Sequence, residues 1–180
     1  MKNSADYIKR GTGQPPLVLI VGNSGSGKTS LLVRLVPELK KRGLRIGTIK
    51  HHHRDFEIDY PGKDSWRHKR AGAERTMISS PNRIGIVMDA DHDHTLDELV
   101  PFFSGMDIII AEGYKGENRP KVEIFRSEVN DKPICLKDHN LIAMMTYQDI
   151  DLEVPRFVPD DVKGLADFLS GFFKLQRSVL

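Results

Sequence analysis

The strongest constraint on the fold is an eight-residue stretch near the start of the chain, Gly22-Asn23-Ser24-Gly25-Ser26-Gly27-Lys28-Thr29. It carries Gly, Gly-Lys and Thr at every fixed position of a phosphate-binding loop. A continuous apolar run precedes it at residues 17–21, and a helical stripe of leucines follows it. Strand, glycine-rich turn and helix in this order direct backbone N–H groups and a helix N-terminus at one anion. The sequence therefore predicts a phosphate site.

Each polar residue of this loop has a predicted role. Lys28 is expected to bridge the β- and γ-phosphates of a nucleotide, and Thr29 to place its hydroxyl on Mg²⁺. The glycines allow the backbone to wrap around a phosphate. The predicted nucleotide-binding residues are Gly22, Asn23, Ser24, Gly25, Ser26, Gly27, Lys28, Thr29 and Ser30.

The hydrophobic pattern beyond the loop alternates strands with helices. Strands are predicted at residues 17–21, 45–49, 75–79, 84–88, 107–111, 122–125 and 141–145, and helices at 29–42, 64–74 and 161–173. Thr95 and Glu98 have the spacing of a capping box ahead of another short helix. This order predicts an α/β P-loop NTPase fold with a mostly parallel sheet, flanking helices and an additional edge strand or hairpin. Residues 121–125 are the candidate edge strand.

Composition limits the class of protein. The 27 Lys and Arg residues against 25 Asp and Glu residues leave a formal charge of +2, which excludes a disordered chain and disfavours a nucleic-acid partner. The longest apolar runs are far shorter than a membrane span. The lone Cys135 excludes an intramolecular disulfide and fits a reducing compartment. We expect a cytoplasmic protein with a flexible tail over residues 1–16 and one nucleotide-binding domain over residues 17–180.

Phosphate transfer or hydrolysis also needs carboxylates around the metal and the attacking water. Glu112 follows a buried strand, at the sheet edge where ligands bind in α/β proteins. Asp59 and Asp64 lie in a long polar loop after the second strand, and Asp64 is also placed to cap a helix. We expect Glu112, Asp59 and Asp64 to be catalytic, with Thr29, Asp59 and Glu112 holding the metal.

Two histidine clusters invite a metal-binding interpretation. They are His51-His52-His53 and Asp91-His92-Asp93-His94. No cysteine lies nearby to complete a tetrahedral site. We interpret both clusters as polar or phosphate-facing loops.

The residues leave the base of the nucleotide open between ATP and GTP. No Asn-Lys-x-Asp segment is present, and the stretch after a late strand reads Thr146-Tyr147-Gln148-Asp149. Three functions fit this pattern: a nucleotide-binding accessory protein, an ATP-dependent small-molecule kinase, and a phosphate-binding scaffold without turnover. A kinase is expected to carry an arginine-rich lid that excludes water, and the arginines at positions 67, 70, 75 and 83 are scattered instead.

Taken together, these motifs resemble the molybdopterin-guanine dinucleotide biosynthesis protein B (MobB) family. The resemblance is carried by residues 21–32, 50–56, 59–67, 71–73, 107–115 and 120–126. Its most particular stretches are Pro61-Gly62-Lys63-Asp64-Ser65 and Ala111-Glu112-Gly113-Tyr114-Lys115. It implies a GTP-binding protein with weak Mg²⁺-dependent GTPase activity in molybdenum cofactor biosynthesis. The implied partner is the guanylyltransferase that forms molybdopterin guanine dinucleotide. The resemblance also implies a homodimer with a continuous sheet, and molybdopterin itself is a further candidate ligand.

Overall fold

A computed structural model describes residues 14–52 and 54–176 of the chain. These residues divide into two compact units, one made of residues 14–51 and 100–176 and the other of residues 52 and 54–99. Most of the predicted N-terminal tail, residues 1–13, and His53 lie outside the described residues. The tail and the single domain over residues 17–180 therefore stay predictions.

The elements follow one another in the order strand, helix, strand that the sequence predicts. They are β1 (Leu17–Val21), α1 (Lys28–Lys41), β2 (Ile46–Lys50), α2 (Asp64–Arg70), β3 (Arg75–Ser80), β4 (Arg83–Met88), α3 (Leu96–Leu99), a 3₁₀ turn (Val100–Phe103), β5 (Ile108–Glu112), β6 (Lys121–Ile124), β7 (Leu141–Met145), β8 (Arg156–Phe157) and α4 (Val162–Phe172). Element boundaries agree with the predicted ones to within a few residues, except that α2 ends at Arg70 and not at residue 74.

The first unit is built on a six-stranded sheet in the order β2-β5-β1-β6-β7-β8. All its strand pairs are parallel. Parallel neighbours require crossover connections, which place helices on the faces of the sheet. The predicted α/β fold with a mostly parallel sheet is confirmed, and the carboxyl ends of all six strands share one edge.

The core of this unit lies between the sheet and helices α1 and α4, which pack against each other. β1 is buried along its whole length, as its unbroken apolar sequence predicts. α1 contributes Leu31, Leu35 and Leu39 from the predicted stripe, and α4 contributes Leu165 and Leu169. The N-terminus of α4 is capped by Asp161, whose carboxylate accepts a hydrogen bond from the Gly164 N–H at 2.8 Å.

The prediction that residues 121–125 form an edge strand is wrong. β6 pairs with β1 on one side and with β7 on the other, so it is an interior strand. Its two charged residues are buried with partners: Lys121 pairs with Asp138, and the Glu123 carboxylate accepts hydrogen bonds from the N–H groups of Ile134 and Cys135 at 2.7 and 2.9 Å. Burial raises the pKa of Glu123, and these two N–H donors oppose the rise. Local compensation of this kind allows charge inside a sheet.

The second unit carries an antiparallel hairpin, β3–β4. This hairpin is the additional element that the sequence predicts, and it forms a separate two-stranded sheet. The predicted capping box is also present: the N–H of Thr95 donates to Glu98 Oε2 at 2.8 Å, and the Glu98 N–H donates to Thr95 Oγ1 at 3.4 Å. The helix that follows is a single turn, α3, continued by the 3₁₀ turn.

One short strand, β8, was not predicted from the sequence. β8 is only two residues long and has too little sequence to show a strand pattern.

Within residues 14–52 and 54–176, no helix has the length and hydrophobicity needed to cross a membrane.

Candidate phosphate-binding site

The loop between β1 and α1 adopts a conformation that its glycines make possible. Gly22 has a φ of 145°, and a Cβ atom there would lie 2.5 Å from the carbonyl oxygen of Ile124 and 2.6 Å from Ser26 Oγ. Gly27, at the N-cap of α1, has a φ of 98°, in the left-handed region. No side chain caps α1. The first N–H groups of a fourteen-residue helix therefore face the loop without an intrahelical acceptor.

Lys28 extends back over this loop. Its ammonium donates to the carbonyl oxygens of Gly22 at 3.0 Å and Asn23 at 2.8 Å. These contacts hold a positive charge at the mouth of the loop, next to the N-terminal end of α1. The arrangement concentrates positive potential at one point, where a polyanion gains from the lysine and from the helix dipole together.

Thr29 and Glu112 meet at the same edge of the sheet. The Thr29 hydroxyl lies 3.2 and 3.1 Å from the two carboxylate oxygens of Glu112. The contact exists because β5 is the direct parallel neighbour of β1, with Ile20 opposite Glu112. A hydroxyl and a carboxylate side by side are the oxygen donors that Mg²⁺ prefers. The structure thus brings together two of the three residues predicted to bind the metal.

A tight turn follows Glu112. Gly113 has a φ of 100° and Tyr114 a φ of 53°, which is uncommon for a residue with a side chain. The Tyr114 ring stacks on the imidazole of His51, with ring centroids 4.4 Å apart. The His51 N–H donates to the carbonyl oxygen of Glu112 at 3.1 Å. His51 therefore packs against the segment that carries the carboxylate, a contact that sequence reasoning did not predict.

Asp59 and Asp64 belong to the second unit, whereas Thr29 and Glu112 belong to the first. Asp59 is half-buried and accepts a hydrogen bond from the N–H of Tyr60 at 2.8 Å. Asp64 is the first residue of α2, whose N-cap is Lys63, and it lies 3.8 Å from Arg67. Their predicted catalytic and metal-binding roles stay predictions.

The second histidine cluster is compact. Ligand atoms of Asp91, His92 and His94 lie within 4.8 Å of one another, at an exposed place in the second unit. The two nitrogens of His92 contact Asp91 at 2.5 Å and Glu98 at 3.1 Å. Hydrogen bonds from His92 to these carboxylates raise its pKa. Such contacts fit a solvated polar loop, and the interpretation of this cluster stays a prediction.

Comparison with known proteins places the chain in a family. The family model described as molybdopterin guanine dinucleotide synthesis protein B, MobB, matches residues 17–147. The chain belongs to the MobB family. A molybdopterin-guanine dinucleotide biosynthesis adapter protein of Escherichia coli (strain K12) is 36% identical over 169 residues, covering 90% of this chain and 95% of that protein.

Solved MobB structures share the fold. The crystal structure of Bacillus subtilis MobB superimposes with a TM-score of 0.71 at 29% identity, covering 91% of this chain and 99% of that one. A tetraacyldisaccharide 4'-kinase of Haemophilus influenzae (strain 86-028NP) is 34% identical over 110 residues, which cover 58% of this chain and 33% of that enzyme. The resemblance to MobB is confirmed. Membership of this family, with its P-loop NTPase fold, implies nucleotide and metal binding.

Proposed function

We propose that the protein is a GTP-binding adapter with weak GTPase activity that acts in molybdenum cofactor biosynthesis. It assists the guanylyltransferase that joins GMP to molybdopterin. The observation that carries this proposal is the loop of residues 22–29 with Lys28 over its mouth and Thr29 against Glu112, in a MobB-family chain. A molybdopterin-guanine dinucleotide biosynthesis adapter protein matches this chain over 95% of its own length, which supports the adapter role.

The loop binds the phosphates of GTP in this proposal. Backbone N–H groups of residues 22–30 surround the phosphate chain, and the Lys28 ammonium neutralises part of its charge. Guanine is the proposed base because the related proteins act in guanine dinucleotide synthesis. The residues themselves do not discriminate GTP from ATP.

The donor set fits Mg²⁺. The oxygens of Thr29 and Glu112 are about 3 Å apart, and both lie at the carboxyl edge of adjacent strands. Mg²⁺ bound there supplies charge neutralisation for the phosphates. Thr29 would hold the ion through its hydroxyl and Glu112 through its carboxylate. We propose that Asp59 binds the metal or orients the attacking water, and that Asp64 is a further catalytic residue.

The proposed assembly is a homodimer, and the β3–β4 hairpin is its candidate contact. The hairpin exposes Met77, Ile78, Ile84 and Ile86, with Ile84 67% exposed. An isolated two-stranded sheet with apolar side chains on its surface is marginal in water. A second copy would cover these residues. Residues 121–125, which were predicted to form an edge strand, are paired on both sides and leave no free strand edge for a second copy.

Calorimetric titration tests the nucleotide. GTP and, separately, ATP are titrated with Mg²⁺ into the full chain, with Lys28→Ala as the control. We expect GTP to bind more tightly than ATP, and Lys28→Ala to weaken binding about a hundredfold because a charge-assisted phosphate contact is lost. Equal affinity of Lys28→Ala and wild type would contradict the phosphate-loop assignment.

A second candidate function is ATP-dependent phosphoryl transfer to a small molecule. The partial match to the tetraacyldisaccharide 4'-kinase is the observation that favours it. That match spans a third of the enzyme, and the other two thirds of the kinase lie outside it. A preference for ATP in the titration would favour this function over the adapter.

A further inference from the structure

Arg126 lies against the phosphate loop from the side opposite Glu112. It follows β6, which pairs with β1, whereas Glu112 ends β5 on the other flank of β1. A Cβ atom placed on Gly27 would lie 3.4 Å from Nη2 of Arg126 and 3.6 Å from its Cζ. The guanidinium therefore sits beside the residue that precedes Lys28, at the N-terminus of α1.

The guanidinium makes no hydrogen bond or ion pair with residues 14–52 or 54–176. A nearby acid, Asp160, is already shared by two other groups. Its carboxylate accepts from the Tyr147 hydroxyl at 2.6 Å and from Arg34 at 3.1 Å. Arg126 interacts with Tyr147 and Asp160 only through its charge. It is an exposed cation without a neutralising contact among the described residues.

This placement favours the binding of an anion. The N-terminus of a helix carries partial positive charge, and Lys28 adds a full charge at the same loop. A guanidinium beside both is repelled by both. A multiply charged anion bound here is attracted by the helix N-terminus, by Lys28 and by Arg126. The planar guanidinium of arginine can also donate two parallel hydrogen bonds to a pair of phosphate oxygens.

We propose that Arg126 contacts the phosphate chain of the bound nucleotide directly. The inference rests on the proposed function and adds a residue to its site. The backbone of a phosphate-binding loop cradles the α- and β-phosphates. Because Arg126 lies beside Gly27 of this loop, we expect it to contact nucleoside diphosphate and triphosphate alike. Arg126 then contacts the phosphate chain directly on one side, and on the other side Glu112 would act on it only through the metal ion.

The test compares Arg126→Ala and Arg126→Lys with wild type in calorimetric titrations of GTP, GDP and inorganic tripolyphosphate. The matched control is Arg34→Ala, which removes an arginine that contacts Asp160 and Pro159. We expect Arg126→Ala to weaken all three ligands by the same factor of about ten to a hundred. Arg126→Lys keeps the charge without the fork and should be intermediate, and Arg34→Ala should stay within about twofold of wild type.

Thermal unfolding without ligand separates a phosphate contact from a structural role. Loss of a repelled cation should leave the Tm of Arg126→Ala unchanged or higher, whereas loss of a structural contact would lower it. Wild-type affinity in Arg126→Ala, with Lys28→Ala still impaired, would overturn this inference and leave the proposed function standing. Failure of the wild type to bind any nucleotide would overturn both.

Discussion

The Thr29 hydroxyl lies within hydrogen-bond distance of both carboxylate oxygens of Glu112, across 83 positions of sequence. The pairing of β1 with β5 makes this contact possible, because it aligns the end of the phosphate loop with the end of a second strand. A hydroxyl and a carboxylate held in this way form one half of a site for an oxygen-seeking cation. The contact gives the proposed GTPase activity a defined position.

Glu112→Gln should spare GTP binding and slow hydrolysis by about a hundredfold. The amide keeps the shape of the side chain but loses the charge that holds the metal or orients water. Single-turnover hydrolysis and calorimetric titration of the same preparation measure the two quantities. An unchanged hydrolysis rate would reduce Glu112 to a structural role.

Gly22→Ala should disrupt the conformation of the phosphate-binding loop at residues 22–29. Gly25→Ala is its matched control. The new Cβ at position 22 meets the Ile124 carbonyl oxygen at 2.5 Å, whereas at position 25 no atom lies within 4 Å. Both positions have positive φ, so both variants carry the backbone cost of about 1 kcal/mol.

Only Gly22→Ala adds a backbone clash, and we expect it to lower the free energy of unfolding by about 2 kcal/mol more than Gly25→Ala does. Urea denaturation of both variants gives the comparison. Equal losses would show that the loop adjusts at Gly22 without strain.

Cys135 should be inert toward thiol reagents in the folded protein. Burial and the neighbouring Glu123 charge raise the pKa of its thiol to about 12. At pH 8 the reactive thiolate is therefore nearly absent. Iodoacetamide should label Cys135 slowly in buffer and rapidly in urea, as followed by mass spectrometry. Similar rates in both solvents would mean that the segment around Cys135 opens readily.

Glu98 should titrate far below an ordinary glutamate. Hydrogen bonds from the Thr95 hydroxyl and N–H, followed by His92, lower the pKa of Glu98 from 4.5 to about 2. A depressed carboxyl pKa stabilises the folded state above pH 4.5, and this contribution is lost as the pH falls toward 2.

NMR titration of Glu98 in Thr95→Ala should show the pKa rising toward 4.5, whereas Thr95→Ser keeps the hydroxyl and should keep the pKa low. If Thr95→Ala leaves the titration unchanged, the hydroxyl contact is not its cause.

The parts of the fold that were predicted correctly have their signal in neighbouring residues. β1, the phosphate loop and α1 are continuous in the chain, and an apolar run, glycines and a leucine stripe identify each of them. Glu112 was found in the same way, from the end of an apolar strand. The sequence around residues 17–42 thus contains nearly all the information needed for this part of the site.

The predictions that failed concern contacts between residues that are far apart in the sequence. Residues 121–125 were expected to form an edge strand, but β6 lies inside the sheet, where Asp138 and the N–H groups of Ile134 and Cys135 satisfy its charged residues. Arg126 was missed as a site residue for the same reason, since its position beside Gly27 follows from the pairing of β6 with β1. No pattern within a short stretch of sequence reveals that β6 pairs with β1.

The second unit enters the chain between β2 and β5, which are direct neighbours in the parallel sheet. The order of the strands thus does not depend on what the crossover between them contains. The insert can therefore change in length or sequence while β2 stays paired with β5 and the loop at residues 22–29 stays at the end of β1.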